Sequence, residues 1–502
     1  MSWLLVLPIA IPMATAVLAL LVRKQHIMER YVSAGGGAAL FVATVVLLAA
    51  VWQDGTLVGR MGNWPPPFGI VLVADLFSAV MVLIAGLTGL LIVIFALATV
   101  DVERERFAFH SFYHILLGGV CGAFLTGDVF NLYVWFEVML ISSFALIALG
   151  GEKAQLDGAV KYAAINLVST ILFLTSIGLL YGATGTLNMA ELNQAVRAVE
   201  NQGLIDAIAI MFLIAFGIKA AVFPLFFWLP ASYHTPPVAV TAIFAALMTK
   251  VGVYALFRMF TLVFTNDLAL THTVMLVVAA LTMITGVLGA AAHTDIRRIL
   301  SFHIVSQIGY MVLGLALFTP LALVGGVFYL IHHIIVKANL FLIGGVIKRV
   351  AGSFDLNRLG GLYLSHPVLA VMFLIPAFSL AGFPPLSGFW AKLILIKASL
   401  DLEEYLIAGV ALVVGLLTIY SMTKIWIQAF WKPLPADGAP AGPAPLSGFE
   451  RVALYTPIIV MCAVTVTIGI WVEPFFVFAE RAAQELIEPA GYVAAVLGGG
   501  PR

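Results

Sequence analysis

Glu137 sits in the middle of NLYVWFEVMLISSF, a run with no other charge, and Lys219 and Lys250 sit in IAFGIKAAVFPLFF and FAALMTKVGVYAL. His332, His333 and Lys337 share YLIHHIIVKANLF, Lys392 follows GFPPLSGFWA, and His303 and Lys424 stand in further apolar stretches. A charge withdrawn from water is costly, so it rarely persists without a use. These residue types suit proton transfer. Desolvation disfavours the charged form of an amine, so a buried lysine can release a proton and take it back. Histidine exchanges protons near neutral pH. A carboxylate beside a lysine favours the charged amine, so moving that carboxylate's influence away can drive deprotonation at a distance. A sodium cage would want several oxygen ligands together, whereas lysines predominate here and carboxylates are scarce. The set reads as a proton path.

Each residue also has a plainer role. Glu137 could hold a lysine in a static ion pair, His332 could be a satisfied core histidine, and Lys424, near the end of its run, could reach the membrane interface along its stem. Lys219 and Lys250 have about nine or more apolar residues on both sides, too many for that reach. His333 and Lys337 are four residues apart and share a helix face, which makes His333 the water-facing histidine.

The elements that must position these groups follow from composition. The 502 residues are 62% hydrophobic and only 10% charged, against about 25% charged in a soluble domain. Lipid must therefore solvate most of the exterior, and the fold class is an all-α polytopic membrane protein forming one membrane domain, residues 1–502. Zero net charge argues against nucleic acid as a partner. Cys121 and Cys462 both lie in apolar runs and form neither a disulfide framework nor a metal site; no cofactor site is expected. The N-terminal apolar run carries Arg23 and Lys24 after it rather than before it, so it reads as a retained first helix instead of a signal peptide.

A spanning helix needs about 20 apolar residues. Splitting at charge clusters and Gly/Pro turns gives fourteen spans: 2–22, 31–51, 71–99, 110–127, 129–150, 156–181, 204–228, 236–260, 270–292, 296–318, 320–348, 366–399, 404–431 and 451–472. Residues 187–201 read as a short surface helix, Pro433–Ser447 as a loop, and residues 474–502 as a C-terminal surface segment, mildly amphipathic over 474–498. Loops after odd-numbered spans hold Arg23, Lys24, Arg30, Arg104, Arg106, Lys153, Arg297, Arg298, Lys348, Arg349, Arg358, Lys432 and Arg451, while the other loops hold little beyond Arg60 and Arg197. The excess of basic residues marks the cytoplasmic side and places both termini outside.

The seventh span contains Pro224, and the twelfth contains Pro376 followed by Gly382-Phe383-Pro384-Pro385. Proline removes a backbone donor, and interrupted helices at matching places in two halves point to a transport site. Lys219 and Lys250 are spaced almost as Lys392 and Lys424 are, and Glu137 and His303 each lie near mid-span. This predicts two five-span units, 110–260 and 270–431. Because five is odd, the second is inverted relative to the first.

Lys219-Ala-Ala-Val-Phe-Pro224-Leu-Phe-Phe-Trp228-Leu-Pro230, then Pro236-Pro237 and Thr249-Lys250, resembles the signature of the antiporter-like membrane subunits. Ala381-Gly-Phe-Pro-Pro385-Leu-Ser-Gly-Phe-Trp390-Ala-Lys392 is similar to that family's second broken helix. The family includes proton-pumping subunits of respiratory complex I and large subunits of Mrp-type multisubunit sodium/proton antiporters; the length near 500 and the lysine at 392 resemble the D-type subunits of the Mrp branch. The resemblance implies fourteen helices with an inverted repeat, an essential Glu137/Lys219 pair, Lys250 as central relay, His333 and Lys337 as the link to the second half, and Lys392 as terminal relay. It also implies partner subunits in a prokaryotic cell membrane, with protons and sodium as the ions handled and the proton-motive force as the drive. Many relatives carry histidine two positions after the proline of the seventh helix, where this chain has Phe226, so the resemblance does not extend to a proton wire through that position, while the lysines are untouched. The alternative implied by the same family is a proton-pumping membrane subunit of a complex I-like NADH:quinone oxidoreductase or of a membrane-bound hydrogenase. An assembly scaffold would leave several aligned buried charges unexplained.

Overall fold

A computed structural model describes residues 3–434 and 445–498. Part of the expected loop Pro433–Ser447, residues 435–444, and the last four residues of the C-terminal segment lie outside the described residues. Among the described residues, fourteen apolar helices run in chain order: α1 (Trp3–Val22), α2 (His26–Asp54), α3 (Leu76–Thr99), α4 (Phe109–Leu125), α5 (Val129–Ala148), α6 (Lys153–Thr184), α7 (Gln202–Ala220), α8 (Val238–Leu262), α9 (Leu268–Ala292), α10 (Ile296–Ala316), α11 (Pro320–Ala351), α12 (Pro367–Ala381), α13 (Tyr405–Trp431) and α14 (Gly448–Ile470). Twelve are long and apolar enough to cross a membrane alone; α4 and α12 are shorter, and the chain continues from α12 into a further helix, Ser387–Asp401.

Two expected spans need correction. The third begins not as a helix but as a strand: β1 (Leu57–Arg60) pairs antiparallel with β2 (Val71–Ala74) before α3 starts. Asp75 separates the two, accepting a hydrogen bond from the Ser78 amide while the Ser78 hydroxyl takes the Asp75 amide, a reciprocal cap that starts α3. The second helix starts earlier than expected, at His26, and carries Glu29 and Arg30 with it.

The helices sort by burial. The most apolar window of α11 is 100% buried and those of α8 and α10 are 94% buried, against 33% for α1. The centre of the protein is therefore α8, α10 and α11, which carry Lys250, His303, His332, His333 and Lys337. In water such helices would read as core; in lipid they are the ones shielded from it by other helices.

Matching backbone details recur in the two halves. Asp128 caps α5 and forms a bridge with Asn188, and Asp295 caps α10 and forms a bridge with Asp355. In each case the residue after the aspartate, the first of its helix, donates to the chain that follows the next helix: Val129 N–H to Leu187 O, and Ile296 N–H to Phe354 O. Both α7 and α12 end on a left-handed residue, Ala221 and Gly382, whose N–H closes back on the preceding turn.

The C-terminal segment is more than a surface layer. Val472–Ile487 buries Ala479, Ala482, Ala483 and Leu486 and packs on α3 and α11. Its Glu485 accepts the Leu76 amide at 3.0 Å, beside a buried ion pair in which Arg258 Nη1 lies 2.6 Å from Asp75 Oδ2. Tyr492 stacks 5.1 Å from the same guanidinium. Asp75→Asn would leave Arg258 buried without its counter-charge, a change that costs roughly 3–5 kcal/mol. We expect a clearly lowered Tm for the purified protein in detergent, and an unchanged Tm would show that the pair is dispensable.

Candidate functional site

The breaks in α7 and α12 free carbonyl groups, and polar side chains collect them. After Gly382, at φ +95° where a side chain would be strained, the chain turns and restarts at Ser387. Lys392 folds back so that its Nζ donates to Leu380 O at 2.9 Å and Ala381 O at 3.1 Å, the open carbonyl end of α12. That end carries partial negative charge and suits an ammonium. The lysine also lies 5.1 Å from the centre of the Tyr310 ring. At the other break, Pro224 stands in the irregular stretch between α7 and Trp228–Ser232. The Trp228 indole takes Ile218 O at 3.0 Å, and the Phe223 amide finds the Thr282 hydroxyl at 2.9 Å. Pro384 and Pro385 occupy the corresponding stretch after α12.

Lys219 is buried in the last turn of α7, with its Nζ 5.7 Å from the centre of the Phe136 ring. Glu137, on α5, accepts the Thr170 hydroxyl of α6 at 2.7 Å. The two interact electrostatically, but among the described residues no ion pair within 4.0 Å joins them. Any coupling between the two therefore acts over a distance, not through a contact. Next to Lys219, an enclosed pocket lined by Phe136, Tyr162, Asn166, Trp228 and Met248 leaves about 10 Å³ open to the centre of a water-sized sphere, close to what one water molecule needs.

From there the polar line enters the core. In α8 a wide, π-type turn at Phe244–Met248 precedes Lys250, and π-turns disturb the regular hydrogen-bond ladder. Lys250, fully buried, donates to Ala245 O in that turn. Lys337 donates to Leu300 O of α10 at 3.2 Å. Electrostatic interactions tie His333 to Lys250, Lys337, His332 and His303. Both ring nitrogens of His333 are buried without a protein partner, whereas His332 Nδ1 lies 2.8 Å from Ser387 Oγ. Ser387 contacts Ser379 at 3.0 Å, and these hydroxyls sit beside the Lys392 break. Electrostatic interactions thus link Lys250, His333, Lys337, His332 and Lys392 through α8, α11 and the second half of the broken α12, and Lys219 shares its pocket with Met248 of α8.

His303 and Lys424 form a side branch. His303 Nε2 is 2.6 Å from Ser421 Oγ on α13. Lys424, one turn further on, donates to Ala291 O and His293 O at 2.8 and 2.6 Å. These carbonyls close the end of α9, where a cation is favoured. On the same side, an open cleft of about 460 Å³ is lined by Asp157, Lys161, His234, His293 and Arg298.

Sequence reading missed Thr170, Asn166, Tyr162, Ser379, Ser387 and Ser421. A helical Ser or Thr often bonds its own backbone, as Ser421 also does with Leu417 O, so its type alone does not announce a partner. Proximity to a broken helix, as for Ser379 and Ser387, is the one signal that was available.

Buried lysines in series, two broken helices and a recurring backbone pattern define an antiporter-type membrane subunit. Residues 126–418 match the model of the NADH:quinone oxidoreductase/Mrp antiporter transmembrane family, and the chain belongs to that family. It is similar to the D-type subunit of the Na+/H+ antiporter of Alkalihalophilus pseudofirmus, at 47% identity over 99% of this chain and 100% of the relative. The D-type subunit of the Na+/H+ antiporter of Bacillus subtilis is 40% identical, again over 99% and 100%. A chain in the structure of the Mrp complex from Dietzia sp. DQ12-45-1b matches with a TM-score of 0.92 at 34% identity, covering 99% of this chain and 100% of that one. A chain of respiratory complex I from Thermus thermophilus shares the fold, with a TM-score of 0.81 at 23% identity over 99% and 100%.

Proposed function

We propose that this chain is the proton-translocating subunit of a multisubunit sodium/proton antiporter in a prokaryotic cell membrane, driven by the proton-motive force. The observation that carries this reading is the buried series from Lys219 through Lys250, His333 and Lys337 to Lys392. The ammonium groups of Lys250, Lys337 and Lys392 are held by carbonyls instead of a fixed carboxylate, so each can lose its proton without stranding a counter-ion. Glu137 acts on Lys219 at a distance and biases its proton occupancy. The breaks at Pro224 and at Pro384-Pro385 supply the carbonyls and hydroxyls that let water reach the two ends.

The two five-helix units, 110–260 and 270–431, each contribute one break and one set of relay groups, inverted relative to each other. Basic residues cluster on the side of the odd-numbered loops, which supports a cytoplasmic location for that face, with both termini outside. Sodium is handled by the complex with its partner subunits, since the buried series of this chain is lysine and histidine rather than oxygen ligands. Lipid surrounds the exposed faces of the peripheral helices.

Everted vesicles test this reading. A complex containing the chain should discharge an imposed proton gradient on sodium addition, and the same complex lacking the chain should not. Equal sodium-dependent discharge without the chain would place proton translocation elsewhere.

A further inference from the structure

A second group of ionisable side chains is buried away from the central series, between α2, α4 and the short helix Val102–Arg106. Glu29, Ser33, Glu105, His110 and His114 are all 0% exposed. Arg30 Nε donates to Glu105 Oε1 at 2.7 Å, and His110 Nε2 lies 3.4 Å from the same oxygen. His110 Nδ1 lies 2.8 Å from Ser33 Oγ, which lies 3.0 Å from His114 Nε2. The four groups form an unbroken file of hydrogen-bond distances from Glu105 inward to His114.

The surroundings leave the file short of counter-charge. Arg30 serves Glu105, while both oxygens of Glu29 and Nδ1 of His114 are buried without a protein partner. The other ionisable groups facing the cluster are His26, 3.9 Å from Glu105, Arg106, 3.5 Å from His26, Arg23, which acts on Glu29, and Tyr113, bonded to Gly89 O of α3 at 2.8 Å. Neither α1 nor α3 carries an ionisable side chain. Two carboxylates and two histidines buried around one paired arginine are costly to keep, and such clusters mark places where protonation can change. A hydroxyl both donates and accepts, so Ser33 links the two imidazoles. One proton moves as follows: a proton arriving from the solvent side is taken up at His110 Nε2 beside the Glu105 carboxylate, His110 Nδ1 gives its own to Ser33 Oγ, and Ser33 gives its own to His114 Nε2. Glu105 stays the carboxylate paired with Arg30, His110 is neutral with its tautomer reversed, and His114 is imidazolium.

The outer end reaches solvent through Arg30 and His26, whose side chains are 29% and 26% exposed. The inner end sits on α4, which packs closely on α5: a methyl group at Gly119 would come within 2.8 Å of Met139 and 3.3 Å of Val138, the residues just after Glu137. A shift of α4 therefore bears directly on the helix segment that carries Glu137.

We propose that Glu105, His110, Ser33 and His114 form a second proton-binding site, loaded from the face that carries Arg30, whose occupancy sets how transport responds to pH on that face. The first readout rests on the antiport reading; a second does not. Sodium/proton exchange by the assembled complex is measured against pH for wild type, Ser33→Ala and His114→Gln. Ser33→Ala cuts the file while keeping every titratable group. Both variants should move the midpoint of the profile by about one unit, the size of shift that a lost neighbouring interaction produces, with the rate at the optimum largely kept. Profiles that coincide with wild type, or rates lowered by one factor at every pH, would overturn the proposal. If wild type itself shows no exchange, the antiport reading fails and the site is judged by proton uptake of the purified complex after a pH jump. Uptake should fall by about one proton per chain in the His110→Gln/His114→Gln variant, and undiminished uptake would overturn the site.

Discussion

Glu137→Ala and Lys219→Ala should each reduce sodium-dependent proton movement in everted vesicles by roughly 10²-fold or more, the usual worth of a positioned proton-transfer group, while the complex still assembles. The two side chains do not touch: Glu137 is held by Thr170 and Lys219 lies over Phe136. Their coupling is therefore a matter of field and distance, and the substitutions should not add. The double variant should be no worse than either single one. Glu137→Asp keeps the charge but withdraws it by one methylene, and should retain part of the activity. Near-normal exchange in either alanine variant would end the claim that this pair controls the path.

Lys392→Arg gives the second large effect. Arginine keeps the charge and can take the carbonyls of Leu380 and Ala381, but it does not deprotonate in proteins. If Lys392 carries protons, arginine should fail almost as badly as alanine, again by roughly 10²-fold or more. Lys424 is the internal comparison. It too binds freed helix-end carbonyls, Ala291 O and His293 O, but it stands on a branch off the series, and Lys424→Arg should keep most of the exchange. Antiport assays on the two arginine variants, side by side with Lys392→Ala, separate a cation that balances charge from one that changes its occupancy. An active Lys392→Arg would remove it from the proton carriers and leave only the first half, around Lys219 and Lys250.

What the sequence made legible follows from what membranes penalise. Lys219, Lys250 and Lys337 stood out because charges in apolar runs are rare, and Pro224, Pro384 and Pro385 because proline cannot continue a helix. The hairpin was hidden because Val71–Ala74 is as apolar as α3, and only the cap at Asp75 separates strand from helix. The Glu137/Lys219 gap was invisible because spacing along a chain does not report distance between helices. Ser387 and Thr170 carry no pattern of their own; their partners come from another helix. Arg30 reads as a loop charge, where charge is cheap, and Glu29 and Glu105 fall outside the expected spans. The early start of α2 at His26 and the folding of Val102–Arg106 against it are what bury them.

Lys250 is the proposed link between the two halves, and exchanging it tests the whole account most directly. Lys250→Met keeps the length of the side chain in a fully buried position, where an apolar replacement for a charge is often tolerated by the fold. The complex carrying it would be purified, placed in liposomes and given an imposed sodium gradient, with internal pH followed by a trapped dye. The account predicts a pH change with wild type and none above the empty-liposome leak with Lys250→Met, although the complex is intact by size and composition. A pH change at the wild-type rate in Lys250→Met would contradict it, because protons would then be crossing without the central relay.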